Sequence, residues 1–324
     1  MAECPHFEHL LVIPRVRVQN ANAISSPLTH GFPSITAFTG LMWALERKTQ
    51  AAGLDLQFNA VGVVAHDFEE QITDGGFVNA FRLTRNPVDK DGSTLAIVEE
   101  GRIHLDISLI FAVQSQVLEN EQAAADIAKQ VREWLSQMRI AGGSVLETAM
   151  PAARKYPYVI PMTGDEEGRE DLFRKLKLRL LPGFALVERE DLLEQRYQAL
   201  QATQPQATRL DAWLSLARIN WQWQAEDDGK EAWQHDRKGL GWIVPIPVGY
   251  GALGELHAAG SVANVRDRNV PFCFVESLYG IGEWLSPHRL NSPQQLLWYA
   301  DSQPENGLYR CRNDYRSAPV IELD

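Results

Sequence analysis

The sequence predicts an α+β protein, and three observations carry that prediction. Over residues 1–147, segments of strand and helix periodicity follow one another as strand, helix, strand, strand, helix and short strand. That order is the βαββαβ pattern of a ferredoxin-like or RRM-like sheet. The chain then turns mostly helical and finally returns to strands, and 324 residues with 45% hydrophobic content are enough for two domains or one domain with a large insertion.

The first strand, residues 10–18, carries Pro14, which cannot donate to a ladder and so points to an edge position or a bulge. Pro33 and Ser34 open a helix that runs to about residue 50. Its apolar positions Ile35, Phe38, Leu41, Met42 and Leu45 share one face, and Gly53 ends it. Residues 56–66 form a second strand around Val61, Val63 and Val64. A hairpin follows with Asp74, Gly75 and Gly76 at its tip, then a loop over Asn86, Pro87, Asp91 and Gly92. Residues 102–113 alternate Ile103, Leu105, Ile107 and Leu109 against His104, Asp106 and Ser108, so one face of this strand is buried. A helix over 121–138 gathers Ala125, Ala128, Val131, Trp134, Leu135 and Met138, ends before Gly142 and Gly143, and leads to a short strand at 144–146.

Beyond this head, residues 150–161 are proline-rich and read as irregular. A helix over 169–181 carries Arg174, Lys175, Lys177 and Arg179, the densest basic cluster of the chain. A strand at 184–187 and helices at 191–203 and 210–219 complete a middle region, and the polar, aperiodic residues 222–239 read as an exposed loop. Strands return at 242–248 and 272–275, with a short helix near 278–285 and a strand at 307–309. Three segments result: an RRM-like head with an inserted hairpin (1–147), a mostly helical inserted region (148–240), and a β-rich segment with a Gly-rich loop that packs back on the head (241–324).

Charge gives the first functional signal. The net charge is -11, yet residues 10–45 hold none of the 42 acids, where an even spread would place between four and five. A surface kept free of carboxylates suits an anionic partner such as nucleic acid. The acidic total argues against a free-standing, non-specific nucleic-acid binder and asks for basic residues gathered on one face. Cys4, Cys273 and Cys311 form no CxxC pair and leave an odd thiol, which fits a reducing compartment and not structural zinc. No apolar run approaches the roughly 20 residues of a membrane span. The start, MAECPHFEH, lacks the pattern of a secretory signal, so a cytoplasmic protein is expected.

The motifs point to binding and not to catalysis. Gly249 to Gly254, GYGALG, matches GxGxxG, but Pro245, Pro247 and Gly260 break the strand and helix that a dinucleotide site needs. The loop reading of Gly249, Tyr250 and Gly251 lets backbone approach an RNA phosphate, because glycine removes the blocking Cβ; a plain mobile loop is the alternative. Asn264, Arg266 and Arg268 in NVRDR offer forked donors for phosphate or stacking planes for bases, against the alternative of a solvated Asp-Arg face. Arg82, Arg85 and Asn86 in RLTRN stand at a strand end entering a loop. The basic helix is either a solvated face or a docking face for nucleic acid or an acidic subunit. Of the eight histidines, His30 and His66 are candidate general acids or bases, but spacing supplies no partner geometry. No GxSxG, HExxH, Walker or spaced Cys/His motif is present, so neither cofactor nor metal is expected.

Several blocks together resemble the Csy-two family, the Cas-five-type subunit of the type I-F CRISPR surveillance complex, within the RAMP superfamily. They are IPRVRVQNANAISSPLTHGFPSITAFTGLMWALERK, FRLTRNPVDKDGSTLAIVEEGRIHLDISL, MRIAGGSVL, RLLPGFALVER, GWIVPIPVGYGAL and FVESLYGIGEWLSPHR. The resemblance spans nearly the whole chain and is weakest at 222–239. It implies an RRM-like head with thumb-like insertions, pairing with the large Csy-one subunit, and capping of the 5′ handle of the CRISPR RNA without catalysis. A neighbouring Cas-seven-type backbone subunit holds the spacer, and target DNA is met only through the complex.

On this reading, Arg15, Arg17, Arg266 and Arg268 contact phosphates or stack on bases. Gln19, Asn20, Asn22, Ser25, Ser26 and His30 hydrogen-bond base edges and 2′-hydroxyls. The strand and the apolar face of the first helix are explained as core, so the claim narrows to Arg15, Arg17 and the loop at 19–30. Two other readings stay open: a RAMP-type repeat-RNA endonuclease with His30 as general acid or base, and a protein scaffold whose acid-free stretch is simply buried.

Overall fold

The computed structural model describes residues 3–84, 88, 91–225 and 231–317. The head begins with β1 (His9–Asn22), a small hairpin of β2 (Ile24–Ser26) and β3 (Thr29–His30), and α1 (Ile35–Ala51). β4 (Gln57–Glu70) follows, then an arm of β5 (Ile72–Asp74), β6 (Asn79–Thr84) and β7 (Val98–Glu100), then β8 (Arg102–Gln114). α2 (Glu121–Ser136), β9 (Arg139–Ile140) and β10 (Gly143–Leu146) complete it. In the sheet these strands stand in the order β4, β8, β1, β10, all antiparallel.

The middle of the chain supplies α3 (Ala152–Lys155), β11 (Tyr158–Pro161), α4 (Glu166–Arg179), β12 (Phe184–Glu188), α5 (Glu190–Thr203) and α6 (Arg209–Ala217). A hairpin of β13 (Trp221–Ala225) and β14 (Glu231–His235) precedes β15 (Ile243–Ala252), β16 (Val275–Leu285), β17 (Leu297–Gln303) and β18 (Leu308–Asn313). The sheet therefore does not stop at the head: among the described residues it has 11 strands, and β12 bonds both to β16 and to β4. Because β17 also pairs with β4, through Leu297 and Trp298, the strands β12, β16, β15, β18 and β17 form a ring closed on β4.

Both faces of the central strands are covered, which explains why LLVI and LIFAV are apolar at every position. Leu11, Ile13, Leu109 and Phe111 pack with Phe38, Met42 and Leu45 of α1 and Val131 and Leu135 of α2. Leu10, Val12, Ile110 and Ala112 pack on the opposite face with Phe173 and Leu176 of α4. The apolar face expected on α1 is buried throughout, and Ser34 caps the helix by accepting the Thr36 N–H. On α2 the buried face is Ala124, Ile127, Ala128, Val131 and Leu135, rotated from the expected one, with Trp134 and Met138 only partly covered. Pro14 sits in a bulge: register shifts between Ile13 and Val16, and Arg15 takes φ 52°. On the other edge β11 reaches Val12 and β10 begins at Arg17, so no strand asks Pro14 for a donor.

Several expectations are corrected. Residues 150–161 are not irregular; Tyr158, Val159 and Ile160 add an edge strand to β1 between bracketing prolines. Residues 222–239 contain strand, because Trp221, Trp223 and Trp233 alternate with polar residues and pair across a hairpin. Residues 278–285 form β16 and not a helix. Gly280 and Gly282 disfavour a helix, and a Cβ at Gly282 would stand 2.9 Å from Leu186 and 3.0 Å from Ile246. The Gly249–Gly251 stretch lies inside β15 and not in a loop, and residues 264–268 form turns and bends. Gln19, Asn20 and Asn22 belong to β1, and Ser25, Ser26 and His30 to the hairpin beside it, in place of one loop.

Candidate nucleic-acid interface

α4 covers its side of the sheet only at one end of β1 and β8. Towards the other end the same side is open. Antiparallel partners share a face, so Arg17, facing Asp106 and Leu146, and Gln19, facing Ser144, stand on this open side, as does Arg139 opposite Ser144. His104 and Arg102 of β8 join them, because they alternate with the buried Ile103 and Leu105. Asn20, at φ 57°, donates its N–H to His104 Nδ1 at 3.1 Å, which leaves the proton of a neutral ring on Nε2.

A cavity of 450 Å³ forms where this surface meets the arm, with Gln19, Asn20, Arg82, Arg102, Arg139 and Gly142 in its wall. Among the described residues its one lining carboxylate, Glu100, is engaged by Arg102 Nη2 at 2.8 Å, and that guanidinium holds the acid below the usual carboxylate range. Arg139 donates to the Gly142 carbonyl at 3.1 Å.

A second cleft of 670 Å³ begins on the other side of Gly142. Asn22, Ser34, Thr36, Trp43, Tyr250 and Tyr309 line it, and among the described residues no Asp, Glu, Lys or Arg does. Tyr250 and Tyr309 are cross-strand partners on β15 and β18, with ring centroids 6.3 Å apart and planes at 15°. Thr39 Oγ1 bonds the Tyr309 hydroxyl at 2.8 Å, tying α1 to β18, and burial pushes that phenol's pKa upward so that it stays neutral. Trp43 lies 5.8 Å from Tyr309 at 54°. The two cavities have Gly142 in common in their linings, one cationic and the other neutral and aromatic.

The expected site residues divide. Gln19, Asn20 and Arg82 line the cationic end; Asn22, Ser25 and Tyr250 line the aromatic end. Arg15 is buried and ion-paired with Asp106 at 3.4 Å, with its N–H on Ser108 Oγ, so this cation serves the sheet and not a surface. Ser26 is also buried, sharing Thr29 Oγ1 with Ser25 to lock the small hairpin. His30 projects beside the arm, bonded to Glu70 at 3.0 Å and edge-on to Phe81.

Gly249 and Gly251 are accounted for by strand packing: a Cβ at Gly249 would overlap the Tyr309 carbonyl, and one at Gly251 would lie 3.3 Å from Leu278. Asn264, at φ 60°, with Arg266 and Arg268, lies exposed in the excursion between β15 and β16, and none of the three lines either cavity. Arg85 and Asn86 lie outside the described residues. The basic helix is largely engaged: Arg174 and Lys175 pair with Asp171, Lys177 donates to the Leu290 carbonyl, and Arg179 covers the Tyr158 ring.

Arg102, His104, Arg139, Trp43 and Tyr309 escaped the sequence reading. The signal for Arg102 and His104 was present in the alternation of β8, whose polar side marks the open face. Tyr309 meets its cavity only through long-range pairing, and Arg139 is carried to the other by the short β9–β10 hairpin once β10 pairs with β1. Among the described residues no group of three or more His, Cys, Asp or Glu could hold a metal ion, and no helix is long and apolar enough to cross a membrane.

The sequence matches the family model of the CRISPR-associated protein Cas_Csy2 over residues 11–311. It is also similar to the CRISPR-associated protein Csy2 of Pseudomonas aeruginosa (strain UCBPP-PA14), at 49% identity over 314 residues, covering 94% of each chain.

Proposed function

The chain belongs to the Csy2 family of CRISPR-associated proteins, and from that premise we propose that it is the non-catalytic subunit of a type I-F surveillance complex that binds the 5′ handle of the CRISPR RNA. The observation that carries the reading is the meeting of two cavities at Gly142, which sets three arginines near a neutral aromatic cleft. An unpaired RNA needs both: cations for its phosphates and flat surfaces for its bases. The strand order β4, β8, β1, β10 supports treating residues 1–147 as a ferredoxin-like head, with 148–240 as insertion and 241–324 as the segment that extends its sheet. Arg17, Gln19, Asn20, Asn22, Ser25, Arg82 and Tyr250 are assigned to the RNA surface, with Arg102, His104 and Arg139 added. Arg266 and Arg268 are assigned to a more distant part of the handle.

Protein partners fit the remaining surface. Among its described residues the arm exposes Phe77, Val78, Leu83 and Val98, as expected where a neighbouring subunit, the large Csy-one or the Cas-seven-type backbone, covers it. A net charge of -11 is compatible with local RNA contact when assembly supplies the rest of the binding surface. The place of action is then the cytoplasm.

The test is a titration of labelled repeat-derived handle RNA, against DNA of the same sequence, with the full chain alone and with its large subunit. Preference for the RNA is expected, and absence of RNA binding in both forms overturns the reading. A second reading is favoured by one contact, the 3.0 Å bond by which Glu70 orients His30. Repeat-RNA cleavage that disappears in His30→Ala would establish an endoribonuclease in place of a capping subunit.

A further inference from the structure

We infer that the neutral cleft takes one unpaired nucleobase of the bound RNA by stacking, with little reading of that base's edge, while the adjoining arginine cavity holds the flanking phosphates; this rests on the RNA-binding reading above. The chemistry of the walls imposes the division. A cleft with no charged residue among the described ones in its lining offers a phosphate no counter-charge, but Trp43, Tyr250 and Tyr309 offer a base an aromatic surface. Tyr250 is 40% exposed and is backed by Tyr309, which Thr39 and the strand pairing hold in place. A ring fixed before the ligand arrives loses little freedom on binding it.

Edge reading needs donors and acceptors that are not already engaged, and the cleft has few. Asn22 uses both its amide nitrogen and its amide oxygen on the backbone of Ile24, at 2.7 and 3.2 Å. Ser34 Oγ is shared among the Thr36 N–H, the Thr36 hydroxyl and the Pro247 carbonyl. Ser25 is held by Thr29. Every base has a π-face, so a site that works by stacking separates a base from no base far better than one base from another. Gly40 lies in the wall in mid-helix, and a Cβ added there would meet nothing within 4 Å, so the cleft floor is open where the ring would enter.

Handle RNAs carrying 2-aminopurine, or an abasic ribose, at one unpaired position at a time test this with the full chain. One position should quench on binding, and the abasic ribose at that position should weaken binding by about tenfold, while exchange among the four bases changes it by less than about threefold. Tyr250→Ala should remove both the quench and the abasic penalty and leave the salt dependence unchanged; Tyr250→Phe, which keeps the ring, should retain both. RNA binding with no quenched position, or with a strong preference for one base at that position, overturns the inference and leaves the RNA-binding reading standing. Failure to bind any RNA removes both.

Discussion

Arg15 Nη1 lies 3.4 Å from Asp106 Oδ2, with 10% of the arginine side chain exposed. The first cation of the strand is thereby withdrawn into the sheet, where the bulge at Pro14 turns it inward. Arg15→Ala should therefore act on folding. Removing one partner of a largely buried pair strands the other, and with Asp106 about a quarter exposed the loss is about 2 kcal/mol, below the range for fully buried pairs. Urea unfolding measures it, and the folded variant should bind RNA with an unaltered salt dependence.

Arg17 and Arg139 should behave in the opposite way. Both stand on the open side of the sheet, so replacing either with Ala should leave urea midpoints nearly unchanged. Each should reduce the slope of log affinity against log salt by about 0.7, the value for one phosphate contact on a single strand. The same titration decides on Arg266 and Arg268: an unchanged slope in the double Ala variant removes them from the RNA surface.

His66 supplies a pH dependence. The Pro182 carbonyl can only accept, so Nδ1 carries the proton, and Nε2 accepts the Ser108 hydroxyl at 2.7 Å. Burial holds the imidazole below the ordinary histidine range; Arg15 lowers it further, while the Pro182 bond and Asp106 oppose. The unfolded chain then binds its proton at higher pH than the folded one. Stability is present above about pH 6.5 and is lost as pH falls from there through the depressed folded value. His66→Gln should flatten the fall in unfolding free energy between pH 7 and 5. A residual slope should remain, because His9, also buried and depressed, has the same sign.

Glu188 and Arg310 join β12 to β18 across the ring at 2.8 Å, and Glu188 also accepts the Asn313 N–H at 3.2 Å. Burial raises the Glu188 carboxyl, against the pull of Arg310. Arg310→Met leaves a buried acid without its cation and should cost about 3 kcal/mol. Adding Glu188→Gln should recover part of that loss. A double-mutant cycle by chemical denaturation reads the coupling, and additive effects would show that the pair contributes nothing jointly.

The sequence alone determined the elements whose evidence is local. Phe38, Met42 and Leu45 at helical spacing placed α1 and its buried face, and Ile103, Leu105 and Ile107 at period two placed β8 and, through His104, its open side. Pro14 announced an edge position or a bulge because its lost donor is a property of the residue itself, and the partner strands decided for the bulge. Short apolar runs with glycine, such as SLYGIG, and alternating tryptophans in a polar segment were misread, because their periodicity decides little until a partner strand is present. Only the tertiary structure decided that β12 and β17 both return to β4, that Thr39 meets the Tyr309 hydroxyl at a sequence distance of 270, and that Arg82, Arg102 and Arg139 face one cavity. Strand pairing is made by backbone groups common to nearly every residue, so the side chains that pairing brings together carry no local mark of their neighbours.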